Sequence, residues 1–355
     1  MTPAQRAAQI AAKDTRVVEL KTALDRAQRQ HAKLKASRLD ILEAIRQGAH
    51  DALLSIDFPP IAEPPKDKRP AAGEVAVAIL ADWQLGKRTE SYSTRVCEER
   101  IALYADKVIE LTEIQRKAHP VRKCRVWALG DLVEGELIFP GQAHLIDSSL
   151  YAQAVKNGPR ILGAFLRRML SAFDEVHFVG VIGNHGALGG RERREYNGET
   201  NADRMLYSIV QQIMEASGEK RITFEIPQGP HERNWYAVDR IGKYSSLLIH
   251  GDQFRGRSGI PVAAMVKKVA LWSMGGIADR FDDVAFGHYH QPTRITVNTA
   301  TVRCAGSPES DNSYASESLA AVGRPSQPLM FVNPEKGQVS AEYQVWLGPP
   351  PVRRS

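Results

Sequence analysis

Five short apolar runs punctuate the chain beyond residue 74: VAVAIL at 75–80, RVWAL at 125–129, VHFVGVI at 176–182, SSLLI at 245–249 and DVAF at 283–286. Each has the length of a buried strand rather than of a buried helix. They alternate with stretches near 98–117, 151–172, 202–216 and 262–278 whose apolar residues recur at helical spacing. Buried strands interleaved with amphipathic helices predict a layered α/β core, with helices covering sheets. No internal repeat breaks this alternation.

The runs share a second property, which concerns chemistry. Each is followed by residues of metal-ligand type: Asp82 and Gln84, Gly130-Asp131, Gly183-Asn184-His185, His250-Gly251-Asp252, and Gly287-His288-Tyr289-His290. In α/β folds, sites gather at the carboxyl ends of strands, where loops converge on a rigid sheet. Neighbouring glycines permit the sharp turns that bring such side chains together. Taken singly, each piece has a plainer reading. Asp82 could cap a helix, Gly-Asp is a common turn, and a buried Asn or His often satisfies backbone groups. His288 and His290 fall on one side of an extended segment, a spacing suited to a metal. Five such pieces in order point to one metal-binding cleft.

The succession DWQ, GDLVEG, GNHG, HGD and GHYH over residues 82–290 resembles the calcineurin-like metallophosphoesterase superfamily. Its pattern is DxH, GD, GNH followed by an acid, a separate His, and GHxH. The resemblance implies a four-layer αββα sandwich holding two divalent ions, Mn²⁺ foremost, with Mg²⁺ or others as alternatives. It implies that Asp82, Gln84, Asp131 and His290 hold the first ion, and that Asp131 bridges to a second held by Asn184, His250 and His288. His185 would act on the leaving oxygen or the transition state, with Glu134 orienting it; the plainer reading of Glu134 is a surface residue after a turn. Gln84 stands where the pattern carries His, and Gly186 where it carries an acid. An amide oxygen is harder and less basic than an imidazole nitrogen, so the first site is expected to bind more weakly and to favour Mn²⁺ or Mg²⁺ over Zn²⁺.

Several local features bear on the substrate. Gly135 occupies the place of the phosphate-clamping Arg of Ser/Thr protein phosphatases, against that branch. Arg191, Arg193 and Arg194 follow the GNH motif, and Arg255 and Arg257 follow His250. Guanidinium groups there could grip backbone phosphates, although the interleaved Glu192 and Glu195 also fit a solvated loop. RCAGSPES at 303–310 resembles the segment after GHxH in the nuclease subunit of double-strand-break repair complexes. The expected activity is therefore a DNA nuclease, of the repair type or a phage-borne relative, which implies an ATPase or another replication or repair partner. The alternatives are a phosphomonoesterase, a small-nucleotide phosphodiesterase, or an accessory subunit with a weakened metal site.

Charge does not decide among these. Residues 1–73 carry 13 Lys/Arg and 9 Asp/Glu, so they hold +4 of the net +6 and the remaining chain only +2. Residues 5–50 contain no Pro, and positions such as Val17, Leu20, Leu24, Ala27, Leu34, Ile41 and Ile45 form a seam of about four heptads, broken by His31 and Arg38. A homodimeric coiled coil through residues 10–45 is one reading; a long helix folded on its own domain is the other. The expected division is a helical segment 1–55, an extended, poorly packed Pro-rich linker 56–73, and a metallophosphoesterase domain 74–348. Three widely spaced cysteines, no apolar leader and no run of membrane-spanning length suit a cytoplasmic protein without a membrane partner.

Overall fold

The computed structural model describes residues 59–69, 73–188, 200–226, 235–255, 259–310 and 323–349. The heptad seam and Arg191, Arg193, Arg194 and Arg257 lie outside them. In chain order the strands are β1 (Glu74–Leu80), β2 (Val121–Ala128), β3 (Glu175–Gly180), β4 (Ile222–Glu225), β5 (Tyr236–Ile241), β6 (Tyr244–Ile249), β7 (Asp283–Phe286), β8 (Thr293–Val297), β9 (Ala300–Cys304), β10 (Ser326–Asn333) and β11 (Gln338–Trp346). Among them run α1 (Thr94–Arg116), α2 (Gly158–Leu170), α3 (Ala202–Ala216) and α4 (Val262–Leu271). None of the helices described is long and apolar enough to cross a membrane.

Two mixed sheets result. The first has the order β11-β10-β1-β2-β3-β4, with β1 to β4 parallel and β10 antiparallel to both its neighbours. The second has the order β5-β6-β7-β9-β8, parallel through β6, β7 and β9 and antiparallel at both edges. The period-two alternation of a strand divides β1 between two cores. Ala76, Ala78 and Leu80 pack with Ile101 and Tyr104 of α1 and Leu162 and Phe165 of α2. Val75, Val77 and Ile79 turn the other way, against Tyr244, Leu248 and Ala285 of the second sheet. The far face of that sheet, through Leu247, Ile249, Val284 and Phe286, meets Met265 and Val269 of α4. Helices thus flank two sheets packed face to face, the layering expected from the sequence.

Each of the five anticipated strands is present, as β1, β2, β3, β6 and β7. Six more were not anticipated. Of these, β8 and β11 expose alternate residues and lie at sheet edges, so they lack the unbroken apolar run that marks a doubly covered strand. Strand β10 is central and largely buried but carries Pro328, a residue that argues against such a position. The helices fall close to their expected spans: α1 begins at Thr94, α3 has the expected bounds, a π-helical turn over Ala152–Asn157 leads into α2, and another over Trp272–Gly276, with Gly275 at φ 109°, follows α4. The Pro-rich segment also departs from expectation. Residues 59–69 form no helix or strand, yet they dock on the domain. Ile61 packs against the main core, Arg69 donates to the Arg116 carbonyl at 2.8 Å, and Arg122 donates to the Asp67 carbonyl at 2.9 Å.

Candidate metal centre

Because β1 and β2 are parallel neighbours, the loops that leave them run side by side. Asp82 N–H donates to the Gly130 carbonyl at 3.1 Å and Gln84 N–H to the Asp131 carbonyl at 3.0 Å. The loop after β7 closes on the same place, where the His288 N–H lies 2.9 Å from both Asp82 carboxylate oxygens. Six described non-glycine residues have left-handed backbone, and five of them are Asp82, Gln84, Asp131, His288 and His290, at φ 52°, 49°, 52°, 69° and 57°. Each such conformation costs about 1–3 kcal/mol and persists only where its surroundings over-determine it. Gly183 and Gly287 make the convergence sterically possible. A Cβ on Gly183 would lie 2.1 Å from Asp131 Oδ1, and one on Gly287 would lie 2.3 Å from Asp82 Oδ2.

The side chains that these loops present form one continuous chain of contacts. Asp82 Oδ1 lies 3.4 Å from His290 Nε2. Gln84 Nε2 lies 3.5 Å from that same nitrogen and 3.4 Å from Asp131 Oδ2. Asp131 Oδ2 is in turn 3.0 Å from His250 Nε2, which lies 3.1 Å from Asn184 Oδ1 and 3.2 Å from His288 Nδ1. All seven residues singled out from the sequence as ligands are therefore gathered, with Asp131 at the centre. Asp82, Gln84, Asp131 and His250 are essentially buried.

This cluster has an excess of acceptors. His250 Nδ1 faces the Leu129 carbonyl at 2.8 Å and so carries a proton, since a carbonyl only accepts. Its Nε2 then meets a carboxylate oxygen, an amide oxygen and an imidazole nitrogen, a repulsive set unless a positive charge intervenes. In the metal-free protein that charge is a proton. Burial alone would depress the His250 imidazolium, but the Asp131 carboxylate outweighs it and raises the group to about 10. Burial and the charge on His250 push His288 down to about 3. Asp131 is held ionised against its burial by His250 and His185. A divalent cation can meet the same need: the ligand atoms of Asp131, His250 and His288 all lie within 4.8 Å of one another. Gln84 adds a second sign of fit, because its Oε1 is buried without a hydrogen-bond partner. The donor set of carboxylates, amides and imidazoles suits Mn²⁺, Mg²⁺ or Zn²⁺.

His185 sits at the rim. Its N–H donates to Asp131 Oδ1 at 2.7 Å, and its Nε2 lies 4.0 Å from Asp131 Oδ2. Glu134 adjoins it as the sequence suggested, although the closer acceptor for Nδ1 is the Glu134 carbonyl at 2.8 Å, with the carboxylate at 3.4 Å. Glu134 is buried and accepts from Gln142 Nε2 at 3.0 Å, which sets aside the plainer reading of an exposed residue after a turn. Arg255 is exposed beyond the His250 loop.

Two residues at the centre escaped sequence reading. Asp203, in the first turn of α3, binds backbone N–H groups of both the Asp131 and the Gly183 loops. Asn201, whose Oδ1 accepts from the Asp203 N–H at 2.8 Å, explains why the GNH motif is followed by Gly186. A Cβ there would lie 2.3 Å from Asn201 Oδ1 and 3.0 Å from the Asp203 nitrogen. Glu309 is the other, buried against His290 with Nδ1 to Oε2 at 2.9 Å.

No family model and no curated protein matches the chain. Solved structures that the chain matches include an archaeal phosphodiesterase, 13% identical, covering 76% of this chain and 99% of its own with a TM-score of 0.33. A predicted phosphoesterase from Streptococcus pneumoniae is 10% identical and covers 77% of this chain and 99% of its own, at a TM-score of 0.30. Vps29 from Entamoeba histolytica, solved with Zn²⁺, is 15% identical over 77% of this chain and 99% of its own, at a TM-score of 0.32. Likenesses this distant carry no functional weight, which rests on the cluster itself.

Proposed function

We propose that this chain is a metal-dependent phosphoesterase acting on phosphodiester bonds, with DNA as its substrate. The observation that carries the reading is the chain of seven ligand-type side chains drawn from five strand ends, five of them buried and two half-buried, with Asp131 in the middle. Divalent ions, when bound, neutralise phosphoryl charge and activate water for in-line attack. Asp82, Gln84 and His290 would hold one, Asn184, His250 and His288 the other, and Asp131 both. His185 is anchored through Nδ1, so Nε2 is its working atom. Asp131 and Glu134 outweigh burial and raise its imidazolium to about 9. In the imidazolium form, Nε2 carries a proton that it can give to a departing alkoxide. DNA is favoured over a small phosphomonoester by the run of arginines after GNH and after His250 in the sequence, residues suited to successive backbone phosphates.

The test is direct. The full chain is incubated with Mn²⁺ and linear single- or double-stranded DNA, alongside a phosphomonoester, and compared with His185→Ala. Metal-dependent DNA cleavage that is lost in the variant supports the reading. Intact DNA with rapid monoester hydrolysis replaces the nuclease with a phosphomonoesterase, and no hydrolysis of either points to an accessory protein.

A further inference from the structure

Glu309, in the RCAGSPES segment, is outside the ligand set, yet it is 5% exposed and sits against the cluster. One carboxylate oxygen lies 2.9 Å from His290 Nδ1 and the other 2.5 Å from Lys87 Nζ. Its own backbone is locked: Glu309 N–H donates to Ser307 Oγ at 2.9 Å, and that hydroxyl donates to the Asp82 carbonyl at 2.6 Å. Gln327 ties the segment to β1 by donating to the Gly306 carbonyl at 2.7 Å and accepting from Ala81 N–H at 2.8 Å. The segment from Gly306 to Glu309 therefore grips both Asp82 and His290, two of the three residues on one side of Asp131.

We infer that Glu309 is the positioning residue of His290, and that it offsets the weak donor Gln84 in the same half of the centre. The inference rests on the metal-dependent reading above. A carboxylate at Nδ1 fixes the proton there and turns the Nε2 lone pair toward Asp82 and Gln84. It also makes that nitrogen a stronger donor, as carboxylate partners of metal-bound imidazoles do. Lys87 balances the buried charge, so Glu309 does not draw the His290 proton onto itself. Glu309→Gln separates this role from mere packing. The amide is the same size, but it can offer an oxygen to only one of its two donors. Facing Lys87 with that oxygen, it would donate to His290 Nδ1 and move the imidazole proton to Nε2.

The experiment is calorimetric titration of Mn²⁺ into the full chain, wild type, Glu309→Gln, Gln84→His and the double variant, with thermal melts to confirm folding. Two ions are expected to bind the wild type. In Glu309→Gln, one should weaken by about 10- to 100-fold while the other is unchanged. Against Gln84→His the same substitution should cost clearly less. ¹⁵N NMR of the metal-free wild type supplies a second readout, independent of any variant's folding, with His290 protonated at Nδ1. Equal affinities in wild type and Glu309→Gln, equal losses in both backgrounds, or an unprotonated Nδ1 would each overturn the role given to Glu309. A wild type that binds no divalent ion would overturn the metal-dependent reading and this inference with it, so the two failures are distinct.

Discussion

The Asp203 carboxylate accepts the main-chain N–H of Asp131 at 2.9 Å. The same oxygen accepts Gly183 N–H at 2.9 Å, and its partner oxygen accepts Leu132 and Val133 at 2.9 and 3.2 Å. One side chain from α3 thus holds the backbones of two loops that carry Asp131, Asn184 and His185. All of these groups are buried, so removing the acceptor leaves several N–H groups unpaired, at about 1–3 kcal/mol each. Asp203→Ala is expected to destabilise the domain by at least about 3 kcal/mol in urea unfolding. Asp203→Asn should retain part of that loss, because its amide NH₂ must face donors. A loss below about 1 kcal/mol in Asp203→Ala would show that the loops hold themselves.

The acceptor excess around His250 Nε2 makes a prediction about stability rather than turnover. A cation that binds only the folded chain adds about 2.7 kcal/mol at a hundredfold excess over its Kd. Mn²⁺ should therefore raise the melting temperature of protein freed of metal by chelator, and EDTA should reverse the rise. His250→Ala and His288→Ala should each abolish most of that increment. Identical melts with and without Mn²⁺ would mean that protons alone serve the cluster.

His185 is set apart from the seven by its position at the rim, hydrogen-bonded to Asp131 Oδ1 through its backbone while its ring turns to Glu134. His185→Ala is expected to lower phosphodiester cleavage by about 10²- to 10⁴-fold, the usual contribution of a positioned general acid, with Mn²⁺ affinity kept within a factor of a few. Calorimetry beside the cleavage assay checks both halves. A variant that loses the ion along with activity would make His185 a ligand instead.

What the sequence discloses and what it hides have physical causes. Asp82, Asp131, Asn184, His250, His288 and His290 are legible because each follows an unbroken apolar run, so the strand end and the chemistry are adjacent in the chain. Asp203 is hidden because its partners are backbone N–H groups, which no residue type announces. Glu309 meets His290 across 19 positions because the β8–β9 hairpin pairs Thr293 with Cys304 and folds the flanking residues together, and the half-exposed β8 lacks the unbroken apolar run that would announce it. Glu134 was found as a residue but not as an atom: only the turn of its loop makes the carbonyl a closer acceptor than the carboxylate. The edge strands β8 and β11 are half-exposed and polar on one side, and Arg303 of β9 bridges the sheets to Glu342 at 2.5 Å, a pairing between polar residues that hydrophobic pattern does not register.

The proton on His185 gives a pH dependence whose sign is fixed by the structure. Burial lowers the stability of the imidazolium, but the charges of Asp131 and Glu134 outweigh that and raise the group from 6.5 to about 9. A folded-state value above the unfolded one means that the protonated form favours the native protein. This contribution is complete below about pH 6.5 and fades as pH rises through about 9. In ¹H NMR of the metal-free protein, the His185 ring proton should therefore titrate near 9. Adding diamagnetic Mg²⁺ should move the inflection downward, because a cation beside Asp131 cancels the charge that raised it. Glu134→Gln should lower it too, even without metal. A titration near 6.5 that neither Mg²⁺ nor Glu134→Gln disturbs would remove both carboxylates from the account of this histidine.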